Sequence, residues 1–260
     1  MNILAFDIET VPDVEAARRL YDLPADLSDE GAGNILFSKR RQASEGRSEF
    51  LPHHLHRVVA ISAVLRRDER LRVWSLGDLD SPESEIVGRF FEGIEKYTPT
   101  LVSWNGSGFD LPVLHYRALR HGIVAPRYWE NGDDDQSFRW NNYLSRFHYR
   151  HTDLMDILSG YQGRAAAPLD DVASMLGFPG KLGMHGSQVW SQYCAGNLKG
   201  IREYCETDAL NTFLVYLRFE MMRGRLADEG YETECARVRE LLRSEDKPHF
   251  KAFDDAWTET

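Results

Sequence analysis

Ile3-Leu4-Ala5-Phe6-Asp7-Ile8-Glu9-Thr10 opens the chain on an alternating pattern. With a side-chain period of two, Leu4, Phe6 and Ile8 point to one face of a strand, and Ala5, Asp7 and Glu9 to the other. Two neighbouring carboxylates on a core strand repel each other and lose hydration, a cost that a cation offsets. The stretch therefore predicts a core strand that delivers Asp7 and Glu9 to one site.

Residues 12–56 follow, with Pro12, Pro24, Pro52 and a polar, charged run. That is long for a connection inside a compact domain, and short helices are expected within it. Residues 58–65 and 71–76 are apolar and β-branched on either side of the charged turn 66–70, which predicts an antiparallel hairpin. Ser81-Pro82-Glu83 supplies a cap, a proline at the first helical position and an early acid, ahead of Ile86, Val87, Phe90, Phe91 and Ile94 at helical spacing. Residues 100–104 predict another strand. A helix opening near Phe109 should carry Leu111, Leu114, His115 and Leu119 toward the core and stop at Gly122, which places Asp110 at a strand-to-helix switch.

The second half is helical by pattern: 168–176 before Gly177, 187–194 before Gly196, 198 to about 223 before Gly224, and 232–242. The last residues, Trp257 among them, are expected to fray. Strands first and helices second support by pattern alone only an α+β class. With no repeat and no evident linker, one domain with insertions near 12–56 and 126–150 is the simplest organisation, residues 221–260 forming a helical extension of it.

Composition narrows the function classes. The chain has 260 residues, 42% of them hydrophobic, enough to build a sizeable core. No run approaches the roughly 18 apolar residues of a membrane span, and Asp7 and Glu9 interrupt the N-terminus before a signal segment can develop. A cytoplasmic protein with no membrane partner is expected. Cys194, Cys205 and Cys235 make no Cys-x-x-Cys pair, so neither a disulfide framework nor a thiolate zinc site is indicated. The formal charge of −10 argues against coating nucleic acid by bulk electrostatics, while leaving room for a local basic groove.

The chemistry lies in acids on separate elements. Asp110 follows Asn105-Gly106-Ser107-Gly108-Phe109, and Tyr204-Cys205-Glu206-Thr207-Asp208 sets a phenol and a carboxylate one helical turn apart on one face. Converging, Asp7, Glu9, Asp110 and Asp208 would supply the hard oxygen ligands that Mg²⁺ or Mn²⁺ prefers, with positions left for water and phosphate. Such a site suits phosphoryl transfer to water.

Phe6-Asp7-x-Glu9-Thr10, Asn105 through Asp110, and Tyr204-x-x-x-Asp208 resemble the three exonuclease motifs of the DEDD superfamily in its tyrosine subclass. Glu203 stands where the histidine subclass would carry its histidine. The similarity is greatest to the proofreading domain of family B DNA polymerases, and more narrowly to stand-alone predicted exonucleases related to that domain. The resemblance spans roughly residues 1–220. It implies an α/β ribonuclease H-like fold, a mixed five-stranded sheet flanked by helices, with a helical C-terminal half. It further implies two Mg²⁺ or Mn²⁺ ions on Asp7, Glu9, Asp110 and Asp208, with Tyr204 orienting water. Thr10, Asn105 and Phe109 become candidate substrate contacts at single-stranded DNA or RNA 3′ ends, which are released as nucleoside 5′-monophosphates. A noncatalytic nucleic-acid-binding or protein-interaction module on the same fold is the alternative.

Other features keep two readings. Asp153 either ends a strand near the acids or caps a helix over 154–158. The aromatics between Tyr128 and Tyr149, interleaved with Arg139 and Arg146, suit either base stacking or a small core of their own, and Asp133-Asp134-Asp135 opposes nucleic acid there. The phrase Gly177-Phe178-Pro179-Gly180-Lys181 belongs to the resemblance without an assigned role. His53, His54 and His56 are expected to face solvent, and His185 to be structural.

Overall fold

The first strand, β1 (Asn2–Pro12), is the middle of a five-stranded sheet in the computed structural model, which describes residues 2–258. Its neighbours are β2 (His56–Arg67), β3 (Arg70–Ser75), β4 (Thr100–Ser103) and β5 (His151–Asp153), in spatial order β3-β2-β1-β4-β5. β1, β2 and β3 are antiparallel, and β4 and β5 join β1's other edge in parallel. Helices cover both faces, and the fold is ribonuclease H-like.

The alternation of β1 sorts its side chains as its period requires. Leu4, Phe6 and Ile8 enter a core with Ile86 and Phe90 of α3 (Glu83–Tyr97) and Leu111 and Leu114 of α4 (Asp110–His121). Phe6 and Phe90 meet at 4.9 Å between ring centroids. Ile3 and Ala5 face the other core, whose spine is the 25-residue α9 (Leu198–Met222). Apolar side chains lie all round α9, as expected of a helix buried between a sheet and further helices. Asp7 and Glu9 thus share the face that α9 crosses.

The long excursion forms two helices, α1 (Val14–Tyr21) and α2 (Asp29–Ala43). Each starts at a side-chain cap, Asp13 accepting from the Ala16 N–H and Ser28 from the Gly31 N–H. Ala17, Leu36, Leu51 and Leu55 give the excursion its own small core. Of the short helices, α5 (Pro126–Trp129) packs on α3, α6 (Leu154–Leu158) on β4 and β5, α7 (Leu169–Met175) on α9, and α8 (Val189–Cys194) on β1 and α9, while α10 (Asp228–Ser244) and α11 (Pro248–Ala256) pack back on α9. No helix among the described residues is long and apolar enough to cross a membrane.

Several sequence expectations need correction. Leu119 is 81% exposed, because the buried face of α4 runs through Leu111, Leu114 and Ala118, and a helix of 3.6 residues per turn swings Leu119 outward. Arg117 is buried there instead. The helix after Ser81 begins at Glu83, with Pro82 as its capping residue and no side-chain cap, since the Ser81 hydroxyl accepts from the Asp78 N–H. Trp257 does not fray: it packs on Phe178 and Phe253 while the Arg239 guanidinium lies 4.3 Å above its ring. Residues 259 and 260 lie outside the described residues. His56 is buried, His53 is half-buried, and only His54 of the three is exposed.

Candidate active site

The pairing of β1 with β4 ends at Ala5 opposite Val102, so the edge of β1 that carries Asp7 to Glu9 has no strand beside it on that side. The start of α4 fills the gap. There the backbone N–H groups of Asp110 and Ile8 favour the Asp110 carboxylate against the effect of its burial. From the opposite face α9 presents Tyr204 and Asp208, one turn apart, and the Cys205 thiol hydrogen-bonds the Asp7 carbonyl at 3.3 Å, tying α9 to β1. Carboxylate oxygens of Asp7, Glu9 and Asp208 all lie within 4.8 Å of one another. Asp110 is buried beside this trio, close enough for its charge to act on Asp7 and Glu9.

The electrostatics are those of four carboxyls buried together. Burial first, then Glu9, Asp110 and Asp208, hold the Asp7 carboxyl well above the usual range. Burial, then Asp208 and Asp110, raise Glu9 well above its own, with Lys181 opposing. Asp208 is pushed up to about 6 by burial, against a hydrogen bond from Tyr204 and the charge of Lys181. Asp110 is pushed up to about 7, again chiefly by burial. The Tyr204 phenol is driven far above its ordinary value by burial and then by Asp208, Glu9 and Asp7, so it stays protonated. Three hard carboxylates at this spacing, each disfavoured as a bare anion, fit a divalent cation better than any internal partner.

The second motif forms a tight loop between β4 and α4, held by Asp153. The Asn105 N–H donates to Asp153 Oδ1 at 2.9 Å and the Ser107 N–H to Oδ2 at 2.8 Å. The same carboxylate caps α6, accepting from the Asp156 N–H. The helix-cap reading of Asp153 holds; it also ends β5, but its oxygens serve backbone N–H groups rather than the acid trio. Asn105 takes a left-handed φ of 64°. Gly106 is required by space, since a Cβ there would lie 2.2 Å from the buried Ser103 Oγ. Asp153→Asn keeps the shape but replaces one acceptor with a donor facing an N–H. A loss of about 1.5–3 kcal/mol in urea denaturation is the expected result, and an unchanged midpoint would deny Asp153 this role.

Of the candidate substrate contacts, Thr10 and Phe109 line one cleft of about 570 Å³ whose wall includes Glu9. The Thr10 hydroxyl is paired with His56 Nδ1 at 2.8 Å, and Phe109 packs against the rings of Phe50 and His56. Asn105 does not line this cleft; its Oδ1 abuts Gly108. The excursion roofs the cleft with Phe37 and Phe50, and α2 presses so closely on Trp190 of α8 that a Cβ at Gly33 would fall 2.5 Å from the indole. Neither Phe50 nor Trp190 carried a signal in the sequence, because their place depends on a contact between distant segments.

Lys181 was likewise without a role until the fold set its charge beside Glu9 and Asp208. Its turn is fastened from two sides, by the Lys181 N–H to Asp170 Oδ1 at 2.6 Å and by Asn211 Nδ2 to the Gly180 carbonyl at 2.8 Å. The aromatic stretch divides: Tyr128, Phe138 and Tyr143 are core, while Trp129, Trp140, Phe147 and Tyr149 are exposed. His185 is exposed and belongs to the short capping turn before α8.

A search of curated proteins returns no match. A family model described as a predicted 3′–5′ exonuclease related to the exonuclease domain of PolB matches residues 48–257, a span that contains Asp110, Tyr204 and Asp208. Asp7 and Glu9 lie before it, and their claim on the site rests on the geometry above. The chain belongs to this family of predicted 3′–5′ exonucleases related to the exonuclease domain of PolB.

Proposed function

We propose that the protein is a metal-dependent exonuclease that hydrolyses the terminal phosphodiester of a single-stranded DNA or RNA 3′ end and releases a nucleoside 5′-monophosphate. The observation that carries this reading is the convergence of Asp7, Glu9 and Asp208 within 4.8 Å of one another, with Asp110 beside them and Glu9 reaching the wall of an open cleft. Asp7, Glu9 and Asp208, assisted by Asp110, would hold two Mg²⁺ or Mn²⁺ ions. When bound, such ions acidify an attacking water and neutralise charge on the phosphate and leaving oxygen.

The chain's own groups do the rest. The cleft against Glu9, apolar and walled by Phe109 and Phe50, accepts the terminal base and sugar and excludes water from around them. The protonated Tyr204 phenol is a hydrogen-bond partner that orients water without acting as a base. Lys181 adds positive charge on the Glu9 and Asp208 side, where it would steady the phosphate as its charge shifts in the transition state. The same reading assigns the protein to the cytoplasm, where the three unpaired cysteines stay reduced.

The test is hydrolysis of 5′-labelled single-stranded DNA and matched RNA with Mg²⁺, Mn²⁺ or chelator. A metal-dependent ladder shortening from the 3′ end is expected. Tyr204→Phe should lower kcat about 100-fold and leave KM within about threefold, because the phenol acts on the reacting water rather than on binding. Metal-independent binding with no turnover would instead favour a noncatalytic module.

A further inference from the structure

A second groove, of about 520 Å³, starts at the other side of the Asn105–Asp110 loop. Ser107 and Gly108 form its near end, one face of α4 its floor, and Trp129, Leu144 and Arg146 its far wall. It is thus continuous with the loop that presents Phe109 to the terminal-nucleotide cleft, and it leads away from the acids.

Its outer wall is a rigid stacking surface. Tyr143 and Tyr128 stack with centroids 5.6 Å apart and planes within 9°, and Tyr128 meets Trp129 edge-on at 5.2 Å. Two hydrogen bonds fix this aromatic column, from the Tyr143 hydroxyl to the Pro99 carbonyl at 2.6 Å and between the Tyr128 hydroxyl and His115 Nε2 at 2.8 Å. The column surfaces at Trp129, which is 49% exposed. Buried aromatics thus pre-position an exposed indole, so little freedom is lost when a flat ring lies on it. Beyond it stands Arg146, whose guanidinium is held by Asp156 at 2.7 Å and lies 4.9 Å above the Tyr161 ring, with its side chain 48% exposed. Asp133, Asp134 and Asp135 are not among the lining residues, so the acidic run does not face this groove.

We propose that this groove is the binding track for the nucleotides upstream of the two that flank the scissile phosphate, with Trp129 stacking on a base and Arg146 contacting a phosphate. The occupant is single-stranded nucleic acid: stacking tolerates any base, and a splayed single strand alone offers base faces to a wall indole. Continuity with the catalytic loop gives the strand its path. This inference rests on the exonuclease reading, and its test separates the two.

The measurement is steady-state hydrolysis of homo-oligonucleotides from two to eight residues long, together with anisotropy of a 5′-fluorescein octamer in Ca²⁺. Trp129→Ala should raise the octamer KM and Kd about 10-fold and Arg146→Ala about threefold, whereas kcat/KM on the dinucleotide stays within twofold of the unaltered protein. Trp129→Phe keeps a ring and should recover most of the octamer binding, which a merely structural loss would not allow. Octamer KM and Kd within twofold in both alanine variants would overturn the proposal and leave the surface for a protein partner. Equal losses on dinucleotide and octamer would also overturn it, by showing that Trp129 acts through α4. An unaltered protein inert on every substrate would sink the exonuclease reading alone, since octamer Kd still reads the groove.

Discussion

Asp7→Asn should abolish hydrolysis and at the same time raise the melting temperature of the metal-free protein. The first effect follows from removing a carboxylate from the trio within 4.8 Å, and a loss of at least about 10³-fold in kcat is expected, since ligand loss forfeits several kcal/mol of transition-state stabilisation. The second follows from the raised carboxyls. Asp208, at about 6 against an ordinary 3.8, alone opposes folding of the metal-free protein by about 3 kcal/mol at pH 7. Folded-state values above unfolded ones make this stability term fully present below about pH 4. It is lost as pH rises through about 6 for Asp208 and about 7 for Asp110. The amide at position 7 removes one repelling charge. The variant should therefore melt several degrees higher in chelator at pH 7.5, at roughly 2–4 °C per kcal/mol, with a smaller gap at pH 5. Mn²⁺ should raise the melting temperature of the unaltered protein and leave that of Asp7→Asn nearly unmoved. A variant that melts lower than its parent in chelator at pH 7.5 would show that Asp7 is a structural carboxylate.

The readable parts of this site are those in which periodicity fixes a direction. Alternation along β1 sends Asp7 and Glu9 to one face, and i, i+4 spacing sends Tyr204 and Asp208 to one side of α9; both hold in the structure. Residues whose position depends on a third element were not readable. Lys181 needs the turn clamped by Asp170 and Asn211, and Phe50 needs the excursion to fold back over β1. Leu119 looked like core because leucine is apolar, yet its angle on α4 outweighs its composition. The fraying expected at Trp257 overlooked Phe250 and Phe253, one turn apart after Pro248, which anchor the one buried face of α11. His56 was expected outside because it sits in a His-rich run. Its ring is instead partnered on both nitrogens, by Thr10 and the Leu51 carbonyl, and burial depresses its pKa to about 4.

Replacing Arg117 with methionine should cost about 3 kcal/mol, the largest loss of stability expected from one side chain outside the acid site. Arg117 is buried in α4 and joins three segments that are distant in sequence. Its Nε donates to Glu83 Oε1 at 2.6 Å, Nη2 to Glu83 Oε2, and Nη1 to Asp13 Oδ2 at 2.5 Å. Burial pushes the Asp13 carboxyl up, but the Ala16 N–H and then Arg117 overcome it and hold the group below its usual range. Without the guanidinium two buried carboxyl groups lose their shared partner, a change that typically costs about 3–5 kcal/mol. Arg120 on Asp13 at 3.2 Å and His121 on Glu83 at 2.8 Å remain, which puts the expected loss at the lower end. The effect should reach the site. Glu83 Oε1 also accepts from the Val58 N–H at 2.7 Å, and Val58 pairs with Thr10 across the bulge that follows Glu9. Urea denaturation measures the loss, and Asp13→Asn with Glu83→Gln added to Arg117→Met should recover part of it by removing the stranded charges. A single variant within 1 kcal/mol of its parent would show that Arg120 and His121 suffice. If the network also holds Glu9 in register, Arg117→Met should blunt the Mn²⁺-induced rise in melting temperature even under conditions where the variant is fully folded.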